Sequence, residues 1–559
     1  MNRHAILHKS DSLYSFALTP DTAEIRLRAA KGDISIADVI YGQKHEFSLH
    51  RKIARMNISA SDGLFDYFTI RLNLDDKRLA YIFLLTDNEG NKYYYSEDGL
   101  TETYDFSVAF YNFFQLAYLN GNDIFPRCEW LSRAVVYQIF VDRFHRGVIP
   151  ENSVKSSETA ACDDFINLKW GDKPTSKSFA GGNLDGIAQK LDYICDLGVN
   201  TLYLTPIFTS RSNHKYDISD YFSVDPHFGG NAAFDRLMTA CKARGIRVIL
   251  DAVFNHCSED IKQFRDVCEK GKRSPYFDWF VIYGEKPTKR PLNYEVFASC
   301  DYMPKWNTAN PEVQEYLCSV GEYWIKEYGI DGWRLDVSDE VSHEFWRKFR
   351  KRIKAIGADK VLIGENWHDS SSYLCGDQFD SIMNYAFTKA MLDYFVYKKL
   401  DTAALCDKLN ELMMRNVTQA NLMMLNLLDS HDTHRFYTEC GKDENKLLLA
   451  LAVETFMPGA TMVYYGTEIP LEGGYDPDSR RCFIWGEHSF SKRVKELLKY
   501  KRLRALTDGD AVFREQNGAI VIERITDGQK VTLIVNNSDS SVCISDTSVK
   551  PFCYKVIVE

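Results

Sequence analysis

The chain has 559 residues, of which 45% are apolar and 13% aromatic, and its formal net charge is -10. This length is too great for one ordinary domain and predicts several units or a large barrel with additions. The mild negative charge argues against nucleic acid or an anionic membrane surface as a partner and suits a neutral ligand.

The N-terminus and the cysteines indicate a cytoplasmic location. Residues 1–20 contain no continuous apolar run of the signal-peptide type, and no stretch of the chain is apolar enough to predict a membrane span. The 14 cysteines are scattered from Cys128 to Cys553 without a C-x-x-C pair. This pattern fits neither a disulfide framework nor a zinc site, so we expect reduced thiols in a cytoplasmic protein.

The first predicted unit, residues 1–125, is rich in short alternating apolar runs. Turn residues such as those at 31–33 and 87–91 separate these runs, and no long helical period is present. Several short strands at this spacing predict an N-terminal β-sandwich.

Residues 126–504 change to strands that alternate with helices, the pattern of βα units and a parallel sheet. Eight such strands predict an α/β fold, a (β/α)8 TIM barrel. The predicted strands cover residues 135–140, 199–205, 248–253, 332–337, 361–365, 381–385, 421–428 and 461–465. Helices are predicted over residues 186–197, 232–244, 311–328, 342–356 and 491–504.

Two connections of the barrel are too long for plain loops, and long loops of this kind are often functional. A polar excursion covers residues 145–184, and an irregular insert, residues 257–310, follows the third strand. After the barrel, residues 505–559 contain strand-like pieces that predict a small C-terminal β-sandwich.

The chemistry is predicted at the carboxyl ends of the barrel strands, where the catalytic side chains of such barrels lie. Arg334 and Asp336 are two residues apart on a strand and share a face, and the arginine would keep the carboxylate ionised. A structural ion pair is the alternative interpretation of this stretch taken alone. Acidic residues also end the third, fifth, seventh and eighth strands. A ring of carboxylates with His, Arg and Trp suits the hydrolysis of a neutral sugar.

Four of these strand ends read DAVFNH (251–256), GWRLDVSDE (332–340), GENW (364–367) and LLDSHDT (427–433). Their order and spacing resemble those of the α-amylase superfamily, glycoside hydrolase family 13, and its neopullulanase, cyclomaltodextrinase and maltogenic amylase subfamily. Residues 135–144, 214–221, 303–307 and 473–481 also match, and the N-terminal region resembles the family's starch-binding module. The resemblance therefore covers nearly the whole chain.

The resemblance implies a role for each matching residue. Asp336 would be the nucleophile, Glu365 the general acid/base, and Asp432 the stabiliser that holds sugar hydroxyls. The implied substrate-binding residues are Arg334, which would also keep Asp336 anionic; His256, His431 and Tyr216 at the cleaved sugar; Asp476 and Arg480 toward the non-reducing side; and Trp367 on the leaving-group side. Asp251 would be structural, and Glu468 is left outside the catalytic set.

The chain departs from the family in three places. Residues 337–340 read VSDE where the subfamily more often has Val-Ala-Asn-Glu, and Trp306 replaces a usual leucine. Several relatives have an Asn/Asp-rich calcium loop after the first strand, whereas residues 144–150 here lack those oxygen ligands. A hard cation needs about six to eight oxygens. The chemistry needs no metal or other cofactor, and the sequence does not favour calcium.

The implied function is retaining hydrolysis of α-1,4 bonds in cyclodextrins, maltooligosaccharides or pullulan, with some transglycosylation. Retention predicts that the carboxyls of Asp336 and Glu365 lie roughly 5 to 5.5 Å apart. The resemblance also implies a homodimer in which the N-terminal module of one subunit covers the cleft of the other. An oligo-α-glucosidase, a glucanotransferase of the same family and a non-catalytic carbohydrate-binding relative remain as alternatives.

Overall fold

The structure is a computed structural model that describes residues 1–148 and 166–559. The described residues form two compact units. The sandwich unit comprises Met1–Arg127, Tyr397–Met423 and Asp508–Glu559. The barrel unit comprises Cys128–Val396 and Met424–Thr507. Tyr397–Met423 lies within the 126–504 range of the predicted barrel domain but belongs to the sandwich unit.

The barrel unit contains an eight-stranded sheet in which every pair of neighbouring strands is parallel. A parallel bridge between Met383 and Leu425 joins the sixth strand region to the seventh, which closes the sheet. In chain order the strands are Val135–Ile139, Thr201–Leu204, Arg247–Ala252, Gly332–Leu335, Val361–Gly364, Ser381–Ile382, Leu425–Leu427 and Ala460–Tyr464. Each coincides with a predicted strand, so the TIM barrel is confirmed.

Helices connect these strands, and local sequence explains where they begin and end. In Pro311–Tyr328 the Asn310 side chain accepts hydrogen bonds from the first turn, and Gly329 ends the helix in the left-handed region at a φ of 73°. The predicted helix over 186–197 is interrupted at Lys190. The helices of the barrel unit are Glu129–Ser132, Val141–Phe144, Leu184–Gln189, Leu191–Leu197, Gly230–Ala243, Lys262–Lys270, Pro311–Tyr328, His343–Ile356, Tyr385–Phe395, Phe436–Glu439, Glu444–Phe456, Ser489–Leu498 and Arg504–Asp508.

The insert after the third strand is mostly irregular and is built around Trp306. Besides Lys262–Lys270 it contains single turns at Gly271–Arg273 and Phe277–Trp279. Trp306 is fully buried, lies parallel to Phe280 with ring centroids 5.0 Å apart, and donates its indole N–H to the Tyr221 hydroxyl. The tryptophan that replaces the family's usual leucine therefore fills the core of the insert. Among the described segments outside the barrel sheet are the short pair Ile166–Asn167 and Ser178–Phe179 and the antiparallel pair Phe208–Ser210 and Ile218–Val224.

The sandwich unit contains antiparallel sheets, and its central strands Thr22–Ala30 and Leu79–Asp87 are buried along most of their length. One buried core joins Ile25 and Leu27 of one N-terminal sheet to Tyr81 and Phe83 of the other. The N-terminal strands are Ser15–Thr19, Thr22–Ala30, Phe65–Asn73 and Asn57–Ser61 in one sheet, and Lys52–Arg55, Ile34–Gln43, Leu79–Asp87, Lys92–Ser96, Gly99–Thr101 and Phe114–Leu116 in the other. The C-terminal strands are Asp510–Gln516, Ala519–Thr526, Gln529–Asn536 and Cys553–Val558, with a small pair Val542–Ile544 and Thr547–Val549. The helices of this unit include Thr402–Met414 and Thr418–Asn421.

Within residues 1–148 and 166–559, no helix is both long and apolar enough to cross a membrane.

Candidate active site

The predicted catalytic carboxyls meet at one end of the barrel because they follow parallel strands. Asp336 comes directly after the fourth strand and Glu365 directly after the fifth. Asp432 lies in the loop after the seventh strand, and His256 lies beyond the end of the third. Parallel strands deliver the residues that follow them to the same edge of the sheet, which is the usual position of a barrel active site.

Arg334 is the centre of this site and is fully buried. Its Nη1 donates to Asp336 Oδ1 at 2.8 Å and to Asp251 Oδ2 at 3.0 Å. Its Nη2 lies 2.8 Å from Glu365 Oε2 and 3.9 Å from Asp432 Oδ2. One guanidinium therefore places the predicted nucleophile and the predicted acid/base on its two terminal nitrogens, a geometry that suits the planar fork of arginine.

Burial controls the protonation of this cluster. Burial raises the pKa of Asp336 well above its usual range, that of Asp251 to about 6, and that of Glu365 above its ordinary value. Arg334 opposes these shifts because a nearby positive charge favours the ionised carboxylate. Three carboxyls around one guanidinium would leave an excess of negative charge out of water, so the cluster favours retention of a proton. For Glu365, a raised pKa is the direction that a general acid requires.

Glu365 is fixed by the turn that follows Asp336. Val337 has a φ of 44°, the left-handed region that β-branched residues seldom adopt. In that conformation its N–H donates to Glu365 Oε2 at 3.0 Å. The indole N–H of Trp367 donates to the other carboxyl oxygen at 3.2 Å. Such a conformation costs of order 1–3 kcal/mol. In Val337 it accompanies a backbone N–H that is directed at the carboxyl of the predicted acid/base.

A hydrogen-bonded chain holds His431 and Tyr216. The Gln138 amide donates to His431 Nδ1 at 2.8 Å, which leaves the imidazole proton on Nε2. His431 Nε2 contacts the Tyr216 hydroxyl, and that hydroxyl donates to Asp251 Oδ2 at 3.0 Å. Burial lowers the pKa of His431 well below its usual range, so the ring is neutral. The Nε2 atom also lies 3.2 Å from Asp432, at the cleft side of the ring.

His256 is buried and has an unused ring nitrogen. Its Nε2 is out of contact with solvent and makes no hydrogen bond among the residues that the structure covers. Burial lowers the pKa of His256 to about 3, and the ring lies parallel to that of Phe297 with centroids 4.6 Å apart. A neutral imidazole with an unsatisfied nitrogen at a strand end can bind a ligand hydroxyl.

The remaining predicted residues connect to Asp432 or to Glu365. Arg480 lies 2.9 Å from Asp476 and 3.4 Å from Asp432 and donates to the His431 carbonyl. The Asp432 side chain is 30% exposed, which makes it the most accessible of the three predicted catalytic carboxyls. Trp367 is 46% exposed and stacks on Tyr385 at 3.7 Å, so its outer face is open. An open indole face suits contact with a sugar ring.

Several residues that contact the site lie outside the predicted set of catalytic and substrate-binding residues. Asp251, for which the resemblance implies a structural role that orients its neighbours, contacts Arg334 and Tyr216 directly. Lys305 of the insert pairs with Glu340 at 2.9 Å and donates to the Asn255 side chain. Both Lys305 and Asn255 lie inside motifs that the sequence displays, so motif position was an available signal. Glu468, which was left out, is fully buried and accepts hydrogen bonds from two tyrosines and a backbone N–H.

These features together define a class of site. Two carboxyls of different environment share one arginine, neutral histidines and a third acid surround them, and an exposed tryptophan borders the opening. This combination provides a nucleophile, a proton donor and polar contacts for a neutral polyhydroxylated ligand. These are the groups that a retaining glycosidase needs.

Comparison with known proteins identifies the family. Residues 138–514 match the model of the alpha amylase catalytic domain, and residues 1–120 match that of the alpha amylase N-terminal ig-like domain. A cyclomaltodextrinase of Thermoanaerobacter pseudethanolicus is 42% identical over 97% of this chain and 94% of that protein. Neopullulanase 2 of Thermoactinomyces vulgaris is 40% identical over 95% of this chain and 91% of that protein. A solved cyclomaltodextrinase structure superposes with a TM-score of 0.89 at 35% identity and covers 97% of this chain and 92% of that chain.

The chain therefore belongs to the α-amylase family, among the glycoside hydrolases of the cyclomaltodextrinase, neopullulanase and maltogenic amylase type.

Proposed function

We propose that the protein is a retaining α-glucan hydrolase that cleaves α-1,4-glucosidic bonds in cyclodextrins, maltooligosaccharides or pullulan. The observation that carries the proposal is the Asp336–Glu365 pair, whose carboxyls each lie 2.8 Å from a terminal nitrogen of Arg334. A retaining mechanism needs these two carboxyls close together, roughly 5 to 5.5 Å apart. The names of the similar proteins, cyclomaltodextrinase and neopullulanase, support this substrate class.

The first step forms a covalent intermediate. Asp336 Oδ2 is buried and makes no hydrogen bond within the described chain, whereas Oδ1 is held by Arg334. The free oxygen attacks the anomeric carbon of the sugar as the glycosidic C–O bond breaks. Glu365 gives its proton to the departing oxygen, so the leaving sugar departs as an alcohol and Asp336 becomes a glycosyl ester.

The second step regenerates the enzyme. Glu365, now ionised, takes a proton from water, and the resulting oxygen attacks the anomeric carbon from the face that the leaving group vacated. The bond to Asp336 breaks and the carboxylate is restored. A sugar hydroxyl that replaces water gives transglycosylation by the same route, so some transfer is expected.

We infer the substrate-binding roles from the family resemblance, and the positions of the side chains support them. Asp432 and the Nε2 atoms of His431 and His256 border the cleaved sugar, where a neutral imidazole can exchange hydrogen bonds with hydroxyls. Tyr216 offers a ring face beside them. Asp476 and Arg480 form a pair at 2.9 Å on the non-reducing side. Trp367 would contact the leaving group, because its indole N–H is already bound to Glu365.

We propose a homodimer. The single-turn helix Phe106–Tyr111 of the sandwich unit exposes 63% of Phe110 and 84% of Tyr111. Large apolar side chains grouped on a surface are of the kind that a partner subunit covers. Light scattering with gel filtration at micromolar concentration should give twice the chain mass. A monomer would contradict the proposal.

We propose that activity needs no calcium. In the described part of the loop after the first strand, the Arg146 guanidinium donates to the carbonyls of Ala180 and Leu168 at 2.5 and 3.1 Å. Its positive charge and its use of these oxygens disfavour a cation there. Ile149 and Pro150, also part of that loop, lie outside the described residues. Dialysis against a chelator should leave activity and the melting temperature unchanged, and a loss that calcium restores would contradict this.

We propose a cytoplasmic location, as the sequence predicts. Apart from Cys128, the cysteines within residues 1–148 and 166–559 are free thiols. Thiols persist in reducing compartments, whereas disulfides mark secreted proteins. Fractionation of the native cells should place the activity in the soluble lysate.

The direct test of the proposed function compares initial rates on β-cyclodextrin, pullulan and soluble starch. Asp336→Asn is the blank, because it keeps the shape of the side chain and removes the nucleophilic oxygen. The covered cleft of a homodimer predicts cyclodextrin well ahead of starch, whereas an equal or faster rate on starch would contradict the covered cleft. Activity that survives in Asp336→Asn would favour the non-catalytic or differently catalysed alternatives.

A further inference from the structure

Ser338 places a hydroxyl against the segment that carries the acid/base Glu365. Its side chain is fully buried. Its Oγ donates to the backbone carbonyl of Glu365 at 2.6 Å, and its own N–H donates to the same carbonyl at 3.2 Å. The backbone carbonyl of Glu365 therefore accepts two hydrogen bonds from Ser338.

The fit between the two segments is close. A Cβ added at Gly364 would lie 3.0 Å from Ser338 Oγ and 2.6 Å from the Phe379 ring, so glycine before Glu365 is what lets the hydroxyl approach. Ser338 is itself held, because the indole N–H of Trp346 donates to its carbonyl at 2.8 Å. Ser338 thus contacts the Trp346 side chain through its carbonyl and the backbone of Glu365 through its hydroxyl.

Val337, the residue before Ser338, connects these hydrogen bonds to the side-chain carboxyl of Glu365. Val337 is in the left-handed region at a φ of 44°, and in this conformation its N–H donates to Glu365 Oε2 at 3.0 Å. A strained conformation persists only where its surroundings hold it. Ser338 directly follows Val337, and its two hydrogen bonds attach this turn to the backbone of Glu365. They therefore hold the Val337 N–H close to the Glu365 carboxyl.

We propose that Ser338 is a positioning residue for the acid/base: its hydroxyl locks the turn after Asp336 to the Glu365 backbone and so keeps the Val337 N–H on the Glu365 carboxyl. This inference rests on the proposed role of Glu365 and adds to it a residue that contacts neither substrate nor the reacting atoms. Without the hydroxyl, only the weaker of the two bonds from Ser338 to the Glu365 carbonyl remains, so the Val337 N–H is held less firmly on the Glu365 carboxyl.

The loss of that N–H has a predictable sign. A donor to the ionised carboxylate lowers its pKa, so removal of the donor raises the pKa of Glu365. Because the first step needs Glu365 protonated, the basic limb of the pH profile of kcat/KM should move to higher pH in Ser338→Ala. The loss of one well-placed hydrogen bond predicts a decrease in kcat of about 5-fold, with KM nearly unchanged.

The experiment measures kcat, KM and the pH profile for wild type, Ser338→Ala and Ser342→Ala. Ser342 follows in the same segment and its side chain makes no capping bond, so this control removes the same atom and should leave kcat and the pH profile unchanged. Each enzyme is assayed on β-cyclodextrin and on 4-nitrophenyl α-maltoside, whose leaving group needs little protonation. Ser338→Ala should lose more activity on cyclodextrin than on the aryl glycoside.

The outcomes separate the alternatives. An equal loss on both substrates with an unshifted basic limb means that Ser338 is only structural and overturns the inference. If Ser338→Ala does not fold, Ser338→Cys, which keeps a weak donor, replaces it and should show the same shift to a smaller degree. If the wild-type enzyme is inactive on both substrates, the proposed function and the inference are both overturned. If Asp336→Asn is active, only the proposed nucleophile is overturned.

Discussion

Replacement of Arg334 by lysine is the perturbation that most directly probes how the site is held together. The guanidinium touches three buried carboxyls, those of Asp336 and Glu365 at 2.8 Å and that of Asp251 at 3.0 Å. A lysine ammonium is a point charge without the planar fork, so it can satisfy one of these carboxyls but not two in the same arrangement. We expect Arg334→Lys to separate the nucleophile from the acid/base.

The size of the effect follows from those contacts. A hydrogen bond to a charged group contributes about 1.5–3 kcal/mol. The loss of the bond to Asp336 alone, at about 2 kcal/mol, corresponds to roughly a 30-fold decrease in kcat/KM. The weaker contact also allows the pKa of Asp336 to rise further, because burial is then less opposed. Since the nucleophile must be ionised, the acidic limb of the pH profile should move to higher pH.

The assay is the initial rate on β-cyclodextrin from pH 4 to pH 9, with thermal unfolding to verify that the variant is folded. Arg347→Lys is the matched control, because Arg347 is an exposed arginine paired with Asp377 on the outer surface of a helix. A folded Arg334→Lys enzyme within twofold of wild type and with the same acidic limb would refute the view that one guanidinium organises the site.

Three further predictions concern the acid/base, the C-terminal sheet and the insert. Glu365→Gln should lower the rate on cyclodextrin by roughly 10²–10⁴-fold and the rate on 4-nitrophenyl α-maltoside by much less, with exposed Glu344→Gln as control; equal losses would contradict the acid role. Arg514 and Lys530 hold the pKa of Glu523 at about 2, lowered from 4.5. Glu523 therefore stabilises above pH 4.5, and this contribution is lost as pH falls toward 2. Glu523→Gln should cost about 1 kcal/mol at pH 7 and progressively less below pH 4.5 in urea unfolding; a gap that does not change with pH would contradict this. Trp306→Leu should cost about 3 kcal/mol through the cavity it leaves, seen as a lower melting temperature, and an unchanged temperature would contradict the packing described for the insert.

The barrel and the position of the site could be predicted from the sequence because both depend on periodic or local signals. Most of the eight strands are mainly apolar, and Asp336, Glu365 and Asp432 follow three of them. The rule that parallel strands place their following residues at one edge was enough to bring these residues together.

The connections among these residues could not be predicted, because they depend on side-chain reach and backbone conformation. The sequence pairs Arg334 with Asp336, two positions away, but the contact with Glu365 depends on the packing of separate strands. The left-handed Val337 was unexpected, since a β-branched residue gives no signal for that region. The membership of Tyr397–Met423 in the sandwich unit also has no local signal, because its helix is amphipathic like any barrel helix.

The central claim is that Asp336 forms a covalent bond to the sugar. The most direct measurement is mass spectrometry of Glu365→Gln after incubation with α-maltosyl fluoride, whose leaving group needs no acid and whose glycosyl-enzyme this variant can hydrolyse only slowly. The account predicts a protein that is heavier by one maltosyl group, with the label on the peptide that contains Asp336. Absence of a label together with rapid release of maltose of inverted configuration, or a label on another residue, would contradict the account.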